Sequence, residues 1–358
     1  MSSQDEGAIP ARPKGRRGFG LYGVSTILLL IALALLILEL IPANEYLFLP
    51  GDALPVAPMI AVKGYPNPKG SGRLLMTDVS LQKVDHLLEE LYGRLNPDAQ
   101  LEPAQAVSGS LTPSQYQREN VRAMDSSVQD AEAAAFHVTF GYSVQCSSQG
   151  PVIVETQPET PAARALKAGD VIESIDGHRI HCARQVGPLV KRHKIGAPVA
   201  LTVLRQAQLR NLRIHTIAAP GSSSTQSQVP IIGVFVEDQL HFPPFPVKVA
   251  IRVGDISGPS AGLMFALGIV ERLKHRDLTK GCTVAGTGTI DPQGIVGPIG
   301  GAKQKVIAAR RAGAGYFLVP DEPDNVGPAL SARGDVTVVP VKSLQQALTY
   351  LAHIKPCA

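Results

Sequence analysis

The sequence predicts an α/β (α+β) protein behind one N-terminal transmembrane helix, with a small module inserted into the larger domain. Three observations carry this. An unbroken apolar run lies near the N-terminus. Strand-like runs alternate with helical patterns both before and after residues 137–217. A segment rich in Gly, Ser and Pro then separates that module from the rest of the chain.

Residues 1–20 are polar and carry Arg12, Lys14, Arg16 and Arg17. Residues 21–41 are almost wholly apolar, with a pure apolar run from Ile27 to Leu38 and Glu39 as the sole charge. About 20 such residues match the bilayer core at 1.5 Å rise per residue. The run exceeds a usual signal-peptide core and no convincing small-x-small cleavage site follows it, so it reads as an uncleaved signal anchor. Four cations precede the span, whereas Glu45 and Asp52 follow it and the next cation is Lys63. The positive-inside bias therefore places the tail in the cytoplasm and the body outside a cell membrane crossed once. The formal net charge of +4 and the absence of Trp, with no basic stripe among aromatics, give nucleic-acid binding no support.

Residues 55–136 begin with two short strand-like runs, Met59 to Val62 and Leu74 to Val79, split by the turn-rich Gly64 to Gly72. A helix is expected from Leu81, with Val84, Leu87, Leu88 and Leu91 at helical spacing. The polar stretch from Asp98 to Glu132 shows helical patches such as Ser114 to Met124, with no evident role. Residues 137–217 read as strand (Pro151 to Val154), short helix (Pro161 to Ala165), the run Gly169 to Ile180, helix (Ala183 to Arg192) and strand (Val199 to Arg205). Residues 218–229 are linker. Residues 230–354 form the second part of the larger domain, with a half-buried strand at Val247 to Val253 and an apolar helix from Ser260 to about Lys274.

The four cysteines allow three complete pairings, and their spacing fits no zinc pattern. Cys146 with Cys182 is the pairing to test first, since both fall in the small module; buried free thiols are the alternative. The nine histidines show no metal spacing. His275 falls near a helix C-terminus and His241 in a loop or at a strand edge.

Two segments carry chemistry. Gly258-Pro259-Ser260-Ala261-Gly262 puts a small hydroxyl at the start of an apolar helix, where unpaired N–H groups and the positive dipole end suit an oxyanion. Pro298 to Lys305 puts Lys303 and Lys305 at the start of another helix. A serine is a useful nucleophile when a base takes its proton, and a buried lysine of depressed pKa can be that base. Each residue alone has a plainer reading, as a helix N-cap or a solvated lysine.

The module resembles a PDZ domain, most specifically over Thr160 to Ile180. That resemblance implies capture of an extended peptide as an added strand beside a helix, its carboxylate held by a glycine-containing loop, for which Phe140-Gly141-Tyr142 is the candidate. Ser260 in its turn, Thr287-Gly288-Thr289-Ile290, the Pro298 to Lys305 run, Ala309 to Ala314, Phe317 to Pro320 and Val338 to Leu348 resemble the proteolytic domain of Lon-type peptidases. The resemblance implies that Ser260 is the nucleophile, Lys305 the general base and Thr287 its orienting partner, with Gly258, Pro259, Ala261 and Gly262 shaping the turn and Lys303 outside the dyad. It also implies an oligomeric ring. The acidic residues usual in that family before the serine turn and after Thr-Gly are replaced by Ser257 and Thr289, with Asp255 nearby as a substitute. No G-x-x-x-x-G-K-[ST] loop occurs, so ATP is not expected, nor is any cofactor or metal. The expected protein is an ATP-independent serine endopeptidase acting on flexible or misfolded exported proteins near the membrane. The alternatives are a PDZ scaffold with an inactive or self-cleaving domain and a tail-specific serine–lysine peptidase.

Overall fold

The computed structural model describes residues 21–357 except 71, 110, 220–228 and 255. The cationic tail, most of the linker and Asp255 thus lie outside the described residues.

Helix α1 (Leu21–Leu40) is followed at once by strand β1 (Pro42–Pro55), then β2 (Ile60–Val62), β3 (Arg73–His86), α2 (Leu87–Leu95), β4 (Gln100–Pro103), α3 (Ala104–Ser108) and α4 (Pro113–Phe140). Within α1, Gly23–Leu40 has a mean hydropathy of 2.6 and buries none of its residues in the protein, so length and composition suffice to cross a membrane. The inserted module holds β5 (Gln145–Cys146), β6 (Val152–Thr156), α5 (Pro161–Ala165), β7 (Val171–Ile175), β8 (His178–Arg179), α6 (Val186–Val190), β9 (Pro198–Arg205), β10 (Gln208–His215) and β11 (Ile217–Ala218). After the undescribed stretch come β12 (Pro230–Ile231), β13 (Val234–Glu237), β14 (Leu240–His241) and β15 (Val249–Ile251). A 3-10 turn (Pro259–Ala261) leads into α7 (Gly262–Leu273), β16 (Thr283–Gly286), β17 (Thr289–Ile290) and β18 (Val296–Gly297). The chain ends with α8 (Ala302–Arg311), β19 (Tyr316–Pro320), α9 (Pro323–Ala332), β20 (Thr337–Val341) and α10 (Leu344–His353).

The main sheet runs β20-β19-β16-β3-β1-β4. Its strands from β20 to β3 are parallel, and β1 joins β3 antiparallel. Period-two alternation divides the side chains between two faces. Leu74, Met76, Val284 and Leu318 pack with α4, α7 and α10 on one face. Leu75, Ala285, Phe317 and Val319 pack with α8 and α9 on the other. Eleven of the twelve α7 residues are buried, as expected of a helix apolar on all sides. The module has its own core of Ile153, Ile172, Ile175, Val199, Leu201 and Val203 under a sheet of order β10-β9-β7-β6-β13.

Two sequence expectations need correction here. The larger domain's first strand begins at Pro42, ahead of the run expected at Met59 and of the domain start expected at 55. Pro50, Gly51 and Asp52 disguise it, because the strand accommodates them in a register shift between Pro50 and Ala53. The segment Leu81 to His86 is strand, paired along β1, and the helix starts only at Leu87. Val84 owes its place in that apolar set to burial against β1, not to helical phase.

Disulfides join Cys146 to Cys182 and Cys282 to Cys357. The first is the pairing expected from the module. The second ties the chain end to the residue just before β16, where Cys357 N–H also donates to Lys280 O.

Candidate active site

Helices α7 and α8 lie on opposite faces of the sheet, and their N-terminal ends meet beyond the carboxyl end of β16. Ser260 sits in the 3-10 turn ahead of α7, Lys305 one turn into α8, and Thr287 directly after β16. Lys305 Nζ lies 2.8 Å from Ser260 Oγ and 3.2 Å from Thr287 Oγ1. The Thr287 hydroxyl donates to Ser260 O at 3.0 Å, which leaves its lone pairs facing the amine. Gly288 N–H also donates to Ser260 O, at 2.8 Å, so this carbonyl is held from two sides.

Lys305 is 2% exposed. Burial pushes its amine down from 10.5 to about 7, while the charge of Asp78 pulls it back up. Asp78 belongs to β3, far from either motif in sequence, and sequence reasoning missed it. Lys303 points elsewhere, donating to Pro97 O at 2.7 Å.

The serine turn is clamped by α4. Gly258, at φ +93°, takes a backbone shape that side-chain-bearing residues avoid, and its N–H donates to Asn120 O at 2.9 Å. Ser127 Oγ donates to Pro259 O at 2.9 Å. A Cβ at Gly262 would stand 2.8 Å from Ser127 Oγ and 2.9 Å from Ile290 Cγ2, so only glycine permits this approach. The polar stretch without an evident role is therefore the wall that fixes the Ser260 turn. Its bond through Asn120 uses a backbone oxygen, which leaves no trace in residue type.

A cleft of about 790 Å³ opens over Ser260 and Lys305. Phe48, Val79 and Leu81 from β1 and β3 line one wall, Tyr116, Gln117 and Asn120 from α4 the other, and Ser257 and Thr289 lie between. Together these give a hydroxyl within hydrogen-bond reach of an amine of lowered pKa, helix N–H groups beside it and an open cleft above.

Phe140, Gly141 and Tyr142, the candidate peptide loop of the small module, lie at the end of α4 and just after it. Gly141 caps α4, its N–H donating to His137 O at 3.0 Å. The Tyr142 hydroxyl donates to Pro243 O at 2.6 Å, and its ring packs against Phe136 and Phe245 in the larger domain's core. Apolar residues around a glycine suit either role in sequence, and α4 runs far enough to use this glycine as its cap.

Comparison with known proteins agrees with this division. Residues 238–353 match the Lon protease (S16) C-terminal proteolytic domain, and residues 138–216 match the PDZ domain. The chain carries a Lon-type proteolytic domain and a PDZ domain. Lon protease 2 of Herpetosiphon aurantiacus is 33% identical over 121 residues, which cover 31% of this chain and 14% of the relative. Lon protease of Escherichia coli K12 is 36% identical over 107 residues, covering 28% and 13%. The chain thus spans only about a seventh of either relative's length. A crystal structure of the PDZ domain of an SdrC-like protein from Listeria monocytogenes is 22% identical, covering 25% of this chain and 90% of that one at a TM-score of 0.23. The Lon-type match starts at 238, yet β1, β3 and β4 complete the sheet of that domain and α4 completes its cleft.

Proposed function

We propose that this protein is a membrane-anchored, ATP-independent serine endopeptidase that works through a Ser260–Lys305 dyad. The contact of 2.8 Å between Ser260 Oγ and a buried amine held near pKa 7 carries the reading. Neutral Lys305 accepts the hydroxyl proton as Ser260 Oγ attacks a peptide carbonyl. The oxyanion forms beside the first N–H groups of the turn that opens α7. The Lys305 ammonium then returns its proton to the departing amine, leaving an acyl-enzyme. Water, deprotonated by the same amine, releases the second product. Thr287 acts as a positioning residue for the amine.

Helix α1 holds the body at the membrane, with residues from Pro42 onward outside the cytoplasm. Substrates enter the open cleft as extended or damaged segments of exported proteins. The PDZ domain recruits them. One of its two edge strands is β13, preceded by Gly233 at φ +75° and packed with α6 residues in one core. A sheet edge beside a helix suits strand addition, so the peptide-binding segment proposed is Val234 to Glu237 rather than Phe140 to Tyr142.

The test is cleavage of an unstructured protein by the detergent-solubilised full chain without ATP, compared with Ser260→Ala and Lys305→Ala. Activity in the parent and loss in both variants is expected. An inactive parent supports the scaffold reading, and activity surviving in Lys305→Ala overturns the dyad.

A further inference from the structure

We propose that α2 is an interfacial helix, seated in the lipid headgroup layer, that lays the mouth of the catalytic cleft close to the bilayer. The proposal rests on α1 being the membrane anchor.

Leu88, Leu91, Tyr92 and Leu95 recur at i, i+3, i+4 and i+7, which places them on one face of α2. Leu91, Tyr92 and Leu95 are 38%, 56% and 75% exposed, a concentration of large apolar side chains that a soluble surface avoids. The opposite face is firmly attached to the body, with Gly93 buried against Leu47 and Leu101. The helix is fixed and its apolar side faces outward.

Continuity with the anchor identifies what covers that side. Leu87 N–H, at the start of α2, donates to Ile41 O, the residue directly after α1, at 2.9 Å. Leu40 and Ile41 are themselves 74% and 40% exposed, so the apolar surface runs from the end of the span onto α2. Where α1 leaves the hydrocarbon, α2 must therefore lie at headgroup depth. A tyrosine with leucines beside it suits that layer, where an amphipathic ring has one end in acyl chain and the other in water. The adjoining charges are paired, Arg94 with Glu90 and Lys83 with Asp85, which lowers the cost of bringing them there.

The placement deepens the proposed substrate class. Strand β1 leaves the membrane at Pro42 and reaches the cleft wall at Phe48, six residues on, or about 20 Å at strand rise. Lys83 of β3 lines both the cleft and the groove beside α2. A body seated on α2 cannot swing freely on its anchor, so the cleft samples chain segments within about 20 Å of the bilayer, such as the stalks of other membrane-tethered proteins.

The chain has no Trp, so one introduced indole reports its own surroundings. Three single variants of the full chain, Tyr92→Trp, Leu30→Trp in α1 and Phe235→Trp in the PDZ domain, would be placed in phosphatidylcholine–phosphatidylglycerol vesicles. Emission would be compared with and without brominated acyl chains. The inference expects brominated lipid to quench Tyr92→Trp and Leu30→Trp by about half or more, and Phe235→Trp negligibly. Quenching of Leu30→Trp alone would overturn the inference and leave the anchor standing. Quenching of neither would overturn both. A blue-shifted Tyr92→Trp that escapes brominated lipid would mean that α2 is covered by a second copy of the chain, which also overturns it. In parallel, Leu91→Glu with Leu95→Glu should leave cleavage of a soluble unstructured protein unchanged and lower cleavage of a vesicle-tethered stalk about tenfold. Equal loss on both substrates, or on neither, would refute the seating.

Discussion

Protonating Lys305 is the sharpest perturbation of the proposed dyad. At its ordinary value of 10.5, about 1 amine in 3,000 would be neutral at pH 7, whereas at about 7 about half are. Burial thus raises the population of neutral amine about a thousandfold, equivalent to about 4 kcal/mol at about 1.36 kcal/mol per pH unit. The rate of acyl-enzyme formation on a fluorogenic peptide should therefore fall about tenfold per unit below pH 7 and reach about one-hundredth of its plateau at pH 5. Lys305→Arg, whose guanidinium stays protonated, should lose activity at every pH. Stability carries the same signature. The unfolded amine holds its proton up to 10.5 and the folded one only to about 7, so stability rises with pH between these values. Below 7 the whole penalty is present. Lys305→Met should accordingly raise Tm most below pH 7, with the gain fading toward 10.5. A limb above pH 9, a flat profile, or an active Lys305→Arg would refute the assignment of Lys305 as the base.

Asp78→Asn removes the charge that holds the Lys305 pKa up, so the acid limb of the rate profile should move to lower pH; an unmoved limb would mean that Asp78 is screened from the amine. Ser127→Ala deletes the bond to Pro259 O, worth about 0.5–1.5 kcal/mol, and should lower kcat about 2- to 10-fold with KM nearly unchanged. A change confined to KM would place Ser127 in substrate binding instead. Replacing Cys282 and Cys357 by Ser opens a link across 75 residues and should cost up to about 4 kcal/mol in denaturant titration, with an unchanged midpoint counting against the link.

How far the sequence disclosed this molecule depends on where each interaction is written. Ser260 and Lys305 were legible because each needs a particular residue type at the start of a helix, and the glycines and prolines mark those starts. The alternation of Val284 with Ala285, or Phe317 with Leu318, discloses strands but not that their two faces carry different helices. β1 was hidden by its own prolines, and α2 lent its helical period to the end of β3. The α4 clamp was illegible for another reason. Its decisive contact is made by the Asn120 carbonyl, a group every residue has, and the glycine it needs at 262 lies more than a hundred positions away. Phe140, Gly141 and Tyr142 were ambiguous because a glycine flanked by aromatic residues serves a helix cap as well as a peptide loop.

The main sheet is assembled from two lengths of chain that leave the ribosome far apart. Arg73 of β3 must find Thr283 of β16, 210 positions later, before the parallel core exists. Contacts of such separation close slowly. The PDZ domain fills much of that gap, folds around a core of its own, and brings its ends together where Leu240 pairs with Cys146. It acts as a splint, turning one long closure into a short one. Destabilising it through Ile172→Ala should slow refolding of the peptidase half as well, and equal rates would show that the halves meet unaided. Because α8 follows that splint in the chain, Ser260 is synthesised well before Lys305, and their contact waits on the closed sheet.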